Sequence, residues 1–141
     1  MNTESFLLCD AATDQRGKLN VLGAFDSLFA KELPVRHRAC SIAARIRFSK
    51  IEAGDHTVRI FIIDADGNSI GPKLEGNIGV RIGNNASTAA VNLILNVQNL
   101  EFKQYGQYQI DLAVNGNVLA SLPLYIRPIP SSNEGPTPQQ N

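Results

Sequence analysis

The stretch that decides the fold is Gly106-Gln-Tyr-Gln-Ile-Asp-Leu-Ala-Val-Asn-Gly-Asn-Val-Leu-Ala-Ser-Leu-Pro-Leu-Tyr-Ile-Arg127. Before the Asn-Gly-Asn sequence, apolar residues fall at every second position, and they do so again after it. A period of two is typical of a half-buried β-strand, whereas a helix would give a period near 3.6. Two such strands around Asn-Gly predict a β-hairpin, and therefore a sheet-based fold.

The register of this hairpin depends on the length of its loop. A two-residue Asn115-Gly116 loop places Val114 opposite Asn117 and mixes polar residues into the apolar face. A three-residue loop ending at Asn117 places Val114 opposite Val118 and keeps the apolar residues together. Because a one-residue slip turns every side chain to the other face, we predict the three-residue loop, with Gly116 or Asn117 in a left-handed conformation. The return strand then directs five side chains inward: Val118, Ala120, Leu122, Leu124 and Ile126.

The composition bounds the class of protein. A chain of 141 residues is expected to form one domain. Its 13 basic and 13 acidic residues give zero formal net charge, which argues against a general binder of nucleic acid or anionic membrane. Several basic residues do lie close together in sequence, and we interpret them as a solvated strand face rather than a binding patch. They are Arg36, His37, Arg38, Arg45 and Arg47.

Other features concern location and redox state. The chain has no apolar run long enough to span a membrane, and its first residues lack the basic start and apolar core of a signal peptide. We therefore expect a cytoplasmic protein. Cys9 and Cys40 both lie in apolar strand patterns, so we expect buried free thiols rather than a disulfide framework.

Strand-like segments recur along the chain up to Arg127. They number about eight, and no segment has a convincing helical pattern. One extended segment is expected from Lys18 to Ala30. The strand over residues 39–49 is expected to direct five side chains inward: Cys40, Ile42, Ala44, Ile46 and Phe48. The expected fold is all-β: a two-sheet antiparallel β-sandwich, loosely immunoglobulin-like. It occupies residues 1–127, with Tyr105 or Tyr108 as the candidate tyrosine corner. Residues 128–141 are rich in proline, serine and glutamine and are expected to form a disordered tail.

Two strands have unusual compositions. In the segment 57–64, Val58, Ile60 and Ile62 share one face, yet the opposite face carries Phe61 and Ile63. An outer face this apolar predicts cover by another segment or by a partner protein. The segment 70–83 contains four glycines and is expected at the edge of a sheet.

Candidate metal ligands are few. Asp64, Asp66 and Asn68 with Gly67 resemble the start of a calcium loop, but a hairpin turn explains the same residues, and Glu75 lies too late in the sequence for an EF-hand. His37 and His56 are expected at opposite ends of neighbouring strands, as surface or half-buried residues rather than zinc ligands. We expect no cofactor.

Asp10 follows an apolar run and shares parity with Phe6 and Leu8, so we predict that it points inward. A buried carboxylate must be hydrogen-bonded or paired, and its expected role is structural. No Gly-x-Ser-x-Gly sequence, local Cys-His grouping or phosphate-binding glycine loop is present. We therefore do not expect an enzyme.

Several stretches together resemble a family. They are Leu8-Cys-Asp-Ala-Ala12, Gly17-Lys-Leu-Asn-Val-Leu-Gly-Ala-Phe25, Leu33-Pro34, Ile42-Ala-Ala-Arg-Ile-Arg-Phe48, and Gly54-Asp-His56 leading to Asp64-Ala-Asp-Gly67. The chain resembles a family of small uncharacterised bacterial proteins over about residues 5–127. The resemblance implies a bacterial origin and supports the fold, and it implies no catalytic residues.

The first functional hypothesis is a non-catalytic module that pairs with another protein or with itself. The second is a sandwich that binds a small ligand or carbohydrate, with Tyr105, Tyr108 and Tyr125 as the available platform. The third is an enzyme whose site is assembled from distant residues, for which a pocket containing Asp10 or His56 would be the sign.

Overall fold

The computed structural model describes residues 1–130. It contains nine strands: β1 (Asn2–Gln15), β2 (Lys18–Ala24), β3 (Ser27–Ala30), β4 (Val35–Ser49), β5 (Gly54–Ile63), β6 (Ser69–Val80), β7 (Thr88–Phe102), β8 (Gly106–Val114) and β9 (Asn117–Pro128). A 3₁₀ turn, Lys50–Glu52, joins β4 to β5. The strands form a four-stranded sheet in the order β2-β1-β4-β7 and a five-stranded sheet in the order β3-β9-β8-β5-β6.

This architecture confirms the predicted all-β, two-sheet sandwich of immunoglobulin-like type. Every pairing is antiparallel except that of β3 with β9, which is parallel. The extra strand arises because the expected extended segment from Lys18 to Ala30 is divided: β2 ends at Ala24, and β3 begins at Ser27 in the other sheet. The glycine-rich β6 lies at a sheet edge, as predicted.

The core lies between the two sheets. From β4, the predicted inward set of Cys40, Ile42, Ala44, Ile46 and Phe48 is at most 4% exposed. From the facing sheet come the buried side chains of β5, β8 and β9: Val58, Ile60, Ile62, Ile110, Leu112, Leu124 and Ile126. Burial of these aliphatic side chains, each worth about 1.5–3 kcal/mol when complete, is the main stabilising contribution.

A tyrosine corner precedes β8. The Tyr108 hydroxyl donates to the carbonyl oxygen of Gln104 at 2.9 Å, four residues upstream. The Tyr108 ring is buried and meets Phe102 edge-on, with centroids 5.0 Å apart. This is the arrangement that immunoglobulin-like sandwiches use at the same place. Tyr105, the other candidate, instead donates to the carbonyl of Ala30.

The β1–β2 hairpin folds over the outer face of the four-stranded sheet. At its tip, the carbonyl oxygen of Gly17 accepts hydrogen bonds from Arg45 Nη1 (3.0 Å) and Asn92 Nδ2 (3.2 Å). Asn92 Nδ2 also donates to Asp14 Oδ2 at 2.9 Å, and this bond lowers the Asp14 pKa. The outward-facing Ala43 is consequently fully buried.

The predicted three-residue turn of the β8–β9 hairpin is wrong. Val114 lies opposite Asn117, so the loop is the two-residue Asn115-Gly116. Both residues have positive φ, 53° and 85°, as a type I′ turn requires. Further from the turn, the register is nevertheless the one that the three-residue loop would give, with the pairs Leu112–Ala120, Ile110–Leu122 and Tyr108–Leu124.

A bulge reconciles the turn with the register. Ala113 lies opposite Val118 and Leu112 opposite Ala120, so Leu119 is the extra residue of β9. The bulge restores the apolar register after the tight turn. Val118, predicted to point inward, is 58% exposed, and Leu119 packs against the core in its place.

Residues 128–130 are the part of the predicted tail that the structure describes. Pro128 still belongs to β9, and the Ile129 amide donates to the carbonyl of Ala30 at 3.2 Å. Residues 131–141 lie outside the described part of the chain.

Candidate functional site

The outer face of the five-stranded sheet carries the predicted interaction residues. Phe61 and Ile63 are half-buried, so neither side chain is fully covered within residues 1–130. On β8, Asp111 lies opposite Phe61, and Gln109 lies opposite Ile63. Ser121 of β9 lies opposite Asp111. These residues, Phe61, Ile63, Gln109, Asp111 and Ser121, are called the Asp111 face.

Asp111 is the polar centre of this face. The residue is only 7% exposed although it points away from the core. Its Oδ1 accepts hydrogen bonds from Gln109 Nε2 at 2.7 Å and from Ser121 Oγ at 2.6 Å. Oδ2 receives no hydrogen bond from the described residues and is not sealed from solvent. The carboxylate is thus held in place with one oxygen free to accept.

An irregularity between β5 and β6 opens a pocket beside Phe61. Ile60 lies opposite Leu74 and Ile62 opposite Ile70, so Phe61 has no partner on β6. Gly71 takes a left-handed φ of 76° at this point, which a residue with a side chain adopts at a cost. The pocket has a volume of about 190 Å³. Its lining includes Arg59, Phe61, Ser69, Pro72 and Lys73.

The charges next to the pocket are paired with each other. Glu75 Oε1 accepts a hydrogen bond from Arg59 Nε at 3.1 Å, and Glu75 Oε2 forms an ion pair with Lys73 Nζ at 3.1 Å. Hydrogen bonds from Lys73 and Arg59 lower the pKa of the Glu75 carboxyl. Arg59 and Lys73 therefore pair with Glu75, and neither forms an ion pair with Asp111.

Asp10, predicted to point inward, is exposed. Beyond Cys9 the chain leaves β4 and turns into the β1–β2 hairpin, so parity with Phe6 and Leu8 no longer defines an inner face. Asp10 lies against Gly23, where an added Cβ would stand 2.5 Å from its Oδ2. The prediction was wrong because the odd or even position of a residue shows which face its side chain is on only while the strand stays in the same sheet.

Asp10 borders an open cleft of about 320 Å³ at the end of the sandwich. The lining also includes Gly23, Phe25, Leu28 and His37. His37 Nε2 is buried and has no hydrogen-bond partner among the described residues. The His37 ring packs against Phe25, with centroids 5.7 Å apart.

His56 lies at the opposite end of the molecule, as predicted, although in the other sheet. Its Nε2 is 2.6 Å from the carbonyl oxygen of Glu52, and its Nδ1 is 2.8 Å from Asn115 Nδ2. Its ring packs on Phe48, with centroids 4.9 Å apart. Both nitrogens of this imidazole therefore have structural partners.

The calcium-like residues Asp64, Asp66 and Asn68 form a turn. Asp64 Oδ1 accepts from the backbone amides of Asp66 (3.0 Å) and Asn68 (2.8 Å), which is how aspartate stabilises a turn. Among residues 1–130, no group of three His, Cys, Asp or Glu side chains is arranged to hold a metal ion.

Carboxylates pair with most of the basic residues that lie close together between Arg36 and Arg47. Glu4 accepts from Arg45 (2.9 Å) and Arg47 (2.6 Å), and hydrogen bonds from these two arginines lower the Glu4 pKa. Arg36 pairs with Glu101 at 2.9 Å. His37 is half-buried beside the cleft, and Arg38 is exposed.

Both cysteines are buried free thiols, as predicted. Burial raises the pKa of Cys9, and it raises the pKa of Cys40 to about 11. Few thiolates are available at neutral pH, so neither cysteine is suited to nucleophilic work.

Sequence reasoning placed Phe61 and Ile63 on this outer face but missed Asp111 as its centre. Gln109, Asp111 and Ser121 read as an ordinary polar face. The available signal was a carboxylate in the middle of a strand, at the position that pairs with Phe61. That signal becomes visible only once the pairing of β8 with β5 is known.

The fold and this outer face define an immunoglobulin-like β-sandwich with a partly apolar, acid-centred surface on its five-stranded sheet. The chain belongs to the family described as a family of unknown function (DUF6941), whose model matches residues 4–127. This agrees with the expected membership of an uncharacterised family. A search of curated proteins found no significant match.

Solved structures with similar folds come from several kinds of protein. The alkylpurine DNA glycosylase AlkC of Pseudomonas fluorescens, bound to DNA containing an abasic site analogue, matches 89% of this chain with a TM-score of 0.50 and 9% identity. The β-glucosidase of Listeria innocua in complex with isofagomine matches 87% with a TM-score of 0.50 and 7% identity. An immunoglobulin-like protein of Pseudomonas aeruginosa matches 89%, and 95% of its own length, with a TM-score of 0.35 and 13% identity.

The chain spans only 30% of the glycosylase and 16% of the glucosidase. At such low identity, the likeness concerns the fold of a part of each enzyme and not its activity. Separately, none of the helices in residues 1–130 has the length and apolar character needed to cross a bilayer.

Proposed function

We propose that this protein is a non-catalytic protein-interaction module that binds its partner through the Asp111 face. The observation that carries the proposal is the free Oδ2 of a nearly buried carboxylate whose neighbour on β5 is the half-buried Phe61. A partner that brings an apolar side chain and a cationic or N–H donor would satisfy both features.

The energetic reason lies in the state of Asp111 before binding. Gln109 and Ser121 already fix the carboxylate, so little side-chain entropy is lost when a donor arrives. Once a partner covers Phe61 and Ile63, water is excluded from Oδ2, which strengthens a charge-assisted hydrogen bond. The pocket beside Phe61 offers a recess for one side chain of the partner.

The non-catalytic part of the proposal has its own support. His56 has both ring nitrogens occupied by Glu52 and Asn115. The two thiols are buried with raised pKa values. His56 and the two thiols, three of the groups suited to acid–base or nucleophilic chemistry, thus serve the fold.

The test is site-specific photo-crosslinking. A photoreactive phenylalanine replaces Phe61 in one variant and Phe29, which is 56% exposed on β3, in the control. We expect a defined protein to be cross-linked in cells from position 61 and not from position 29. Equal labelling from both positions would remove the support for a specific face.

The captured protein is then tested in purified form by calorimetry. Phe61→Ala and Asp111→Asn should each weaken its binding by about tenfold or more, as loss of a central contact does. Gln107→Ala, on the same strand and exposed, should leave the affinity unchanged. Binding that is insensitive to both Phe61→Ala and Asp111→Asn would contradict the proposal.

A second candidate function is the binding of a small polar ligand in the cleft between Asp10 and His37. Its support is the unpartnered His37 Nε2 beside an open volume of about 320 Å³. An NMR titration with a panel of monosaccharides tests this candidate. Amide shifts confined to Asp10, Phe25 and His37 would favour ligand binding, and shifts scattered over the surface would not.

A further inference from the structure

The exposed edge of β7 differs from the other sheet edges of this molecule. Four strands lie at edges in the described residues: β2, β3, β6 and β7. Proteins protect such edges with charges, prolines, bulges or short length, because unpaired backbone groups invite another strand. β3 has four residues, β6 contains Pro72, Lys73 and a left-handed Gly71, and β2 contains Lys18 and a left-handed Gly23.

β7 has none of these devices over most of its length. From Thr88 to Gln98 it contains no charged residue and no proline. It pairs with β4 without a break over this range, from Ser49–Thr88 to Ala39–Gln98. On its other side, no backbone hydrogen bond from residues 1–130 reaches this segment.

The side chains along this edge are incompletely covered. Val91, Leu93 and Leu95 are partly buried and pack against the edge of the core. Ile94, on the outer face, is also half-buried. A strand added alongside β7 would therefore extend the core and bury apolar surface as well as pairing the backbone.

The sequence of β7 indicates which strand is added. Val91-Asn-Leu-Ile-Leu-Asn-Val97 reads the same in both directions, with Ile94 at its centre. Two antiparallel copies paired at Ile94 place Leu93 opposite the partner's Leu95, Asn92 opposite the partner's Asn96, and Val91 opposite the partner's Val97. Each cross-strand pair then joins side chains of one kind, as a two-fold axis through Ile94 requires.

The hydrogen-bonding requirements are compatible with this register. Along an edge strand, every second residue directs its backbone N–H and C=O groups outward. In this register each residue pairs with itself or with one an even number of positions away, so outward-directed groups of one copy meet outward-directed groups of the other. On the outer face, Asn96 Oδ1 accepts from Ser41 Oγ, and Asn92 Oδ1 accepts one hydrogen bond, from Arg45 Nη1. The Asn96 amide group and the second lone pair of Asn92 Oδ1 are therefore available to each other across the axis.

We infer that two copies of this chain associate through antiparallel pairing of β7 with β7 centred on Ile94, which joins the four-stranded sheets into one eight-stranded sheet. This dimer uses an edge of the four-stranded sheet, whereas the Asp111 face lies on the five-stranded sheet, so it goes beyond the proposed function and does not depend on it.

Light scattering after size-exclusion chromatography, over a series of concentrations, tests the assembly. The full chain should be a dimer. Ile94→Lys brings two like charges together at the axis and should raise the dimer dissociation constant by about tenfold or more. Val118→Lys, the same change at an exposed position of the other sheet, should leave the dimer intact.

A cysteine at the axis tests the register without relying on a disruptive variant. Directly opposed Cα atoms in antiparallel strands lie about 4.5–5.5 Å apart, which suits a disulfide. Ile94→Cys should form a covalent dimer on oxidation, and Val118→Cys should not. The native thiols are buried, so they do not compete.

A chain that is monomeric at all concentrations would overturn the inference. So would a dimer that is unaffected by Ile94→Lys and does not cross-link through Ile94→Cys. A dimer that instead dissociates on Phe61→Ala would place the contact on the Asp111 face, which overturns the β7 inference and supports the proposed function.

Discussion

Asn115, at the tip of the β8–β9 hairpin, lies 2.8 Å from Nδ1 of His56 at the start of β5 through its Nδ2 atom. The roles of the atoms follow from a third contact. Asn115 Oδ1 accepts from the Thr57 amide at 3.0 Å, so Nδ2 is the donor. His56 Nδ1 therefore accepts, and its Nε2–H donates to the carbonyl of Glu52. One turn residue thus fixes the tautomer of the imidazole and joins the hairpin to β5.

Asn115→Ala is expected to destabilise the protein by about 1–3 kcal/mol, because it removes two side-chain hydrogen bonds and places alanine at a left-handed φ of 53°. Chemical denaturation measures the change. Asn117→Ala, two residues away in the same hairpin and exposed, is the control and should stay within about 0.5 kcal/mol of wild type. Equal effects from the two substitutions would contradict this interpretation.

Gly23→Ala should be more destabilising than Gly17→Ala. Both glycines have positive φ, 68° and 82°, so each substitution carries the left-handed cost of about 1–2 kcal/mol. At Gly23 the new Cβ would also stand 2.5 Å from Asp10 Oδ2, whereas at Gly17 it meets nothing within 4 Å. Asp10→Ala should recover part of the difference in a Gly23→Ala background. Thermal unfolding of Gly17→Ala, Gly23→Ala, Asp10→Ala and the Asp10→Ala/Gly23→Ala double variant tests the ranking, and no recovery would show that the Asp10 contact is unimportant.

Tyr108→Phe isolates the tyrosine corner. It removes the hydroxyl that donates to Gln104 and retains the ring that packs on Phe102. The expected loss is about 1 kcal/mol in the free energy of unfolding. Tyr125→Phe is the matched control, because the Tyr125 hydroxyl donates no hydrogen bond within residues 1–130, and it should be close to neutral. A loss of stability confined to Tyr125→Phe would contradict the assignment of Tyr108.

Glu52 predicts an acid-dependent loss of stability. The Met1 amino group lies 2.8 Å from Glu52 Oε2. The hydrogen bond from this amine, followed by those from Ser49, lowers the Glu52 pKa from 4.5 to about 2. Because the Glu52 pKa is lower in the folded state, the carboxylate stabilises the fold fully when the pH is above the pKa of the unfolded state. This contribution disappears as the pH falls from about 4.5 to about 2.

Glu52→Gln should therefore be less stable than wild type at pH 7, and the difference should shrink through this pH range. Urea denaturation between pH 2 and pH 7 measures it. Glu32→Gln, at an exposed position, serves as the control and should follow the wild-type curve. A constant difference between Glu52→Gln and wild type at all pH values would show that the charge of Glu52 is not responsible.

The sequence alone determined the class of fold, because strand periodicity depends only on which residues avoid water. It gave the inward residues of β4 and β5, the edge position of β6, the buried thiols and most of the β8–β9 register. It did not give the turn: the apolar pattern indicated a three-residue loop, whereas the structure combines a two-residue type I′ turn with a bulge at Leu119. Both turns satisfy the same apolar pattern. The two-residue turn is the one in which Asn115 contacts Thr57 and His56, which are far away in sequence.

The candidate surfaces depended on tertiary structure in a similar way. Phe61 and Ile63 were recognisable as apolar residues on an outer face, since alternation within one strand shows this. Asp111 became the centre of that face only through the pairing of β8 with β5, and Asp10 proved exposed because its strand leaves β4. The symmetric stretch around Ile94 is present in the sequence, but its meaning depends on β7 lying at a sheet edge. Local pattern decides which side of a strand is apolar, and only the arrangement of strands decides what that side, or that edge, meets.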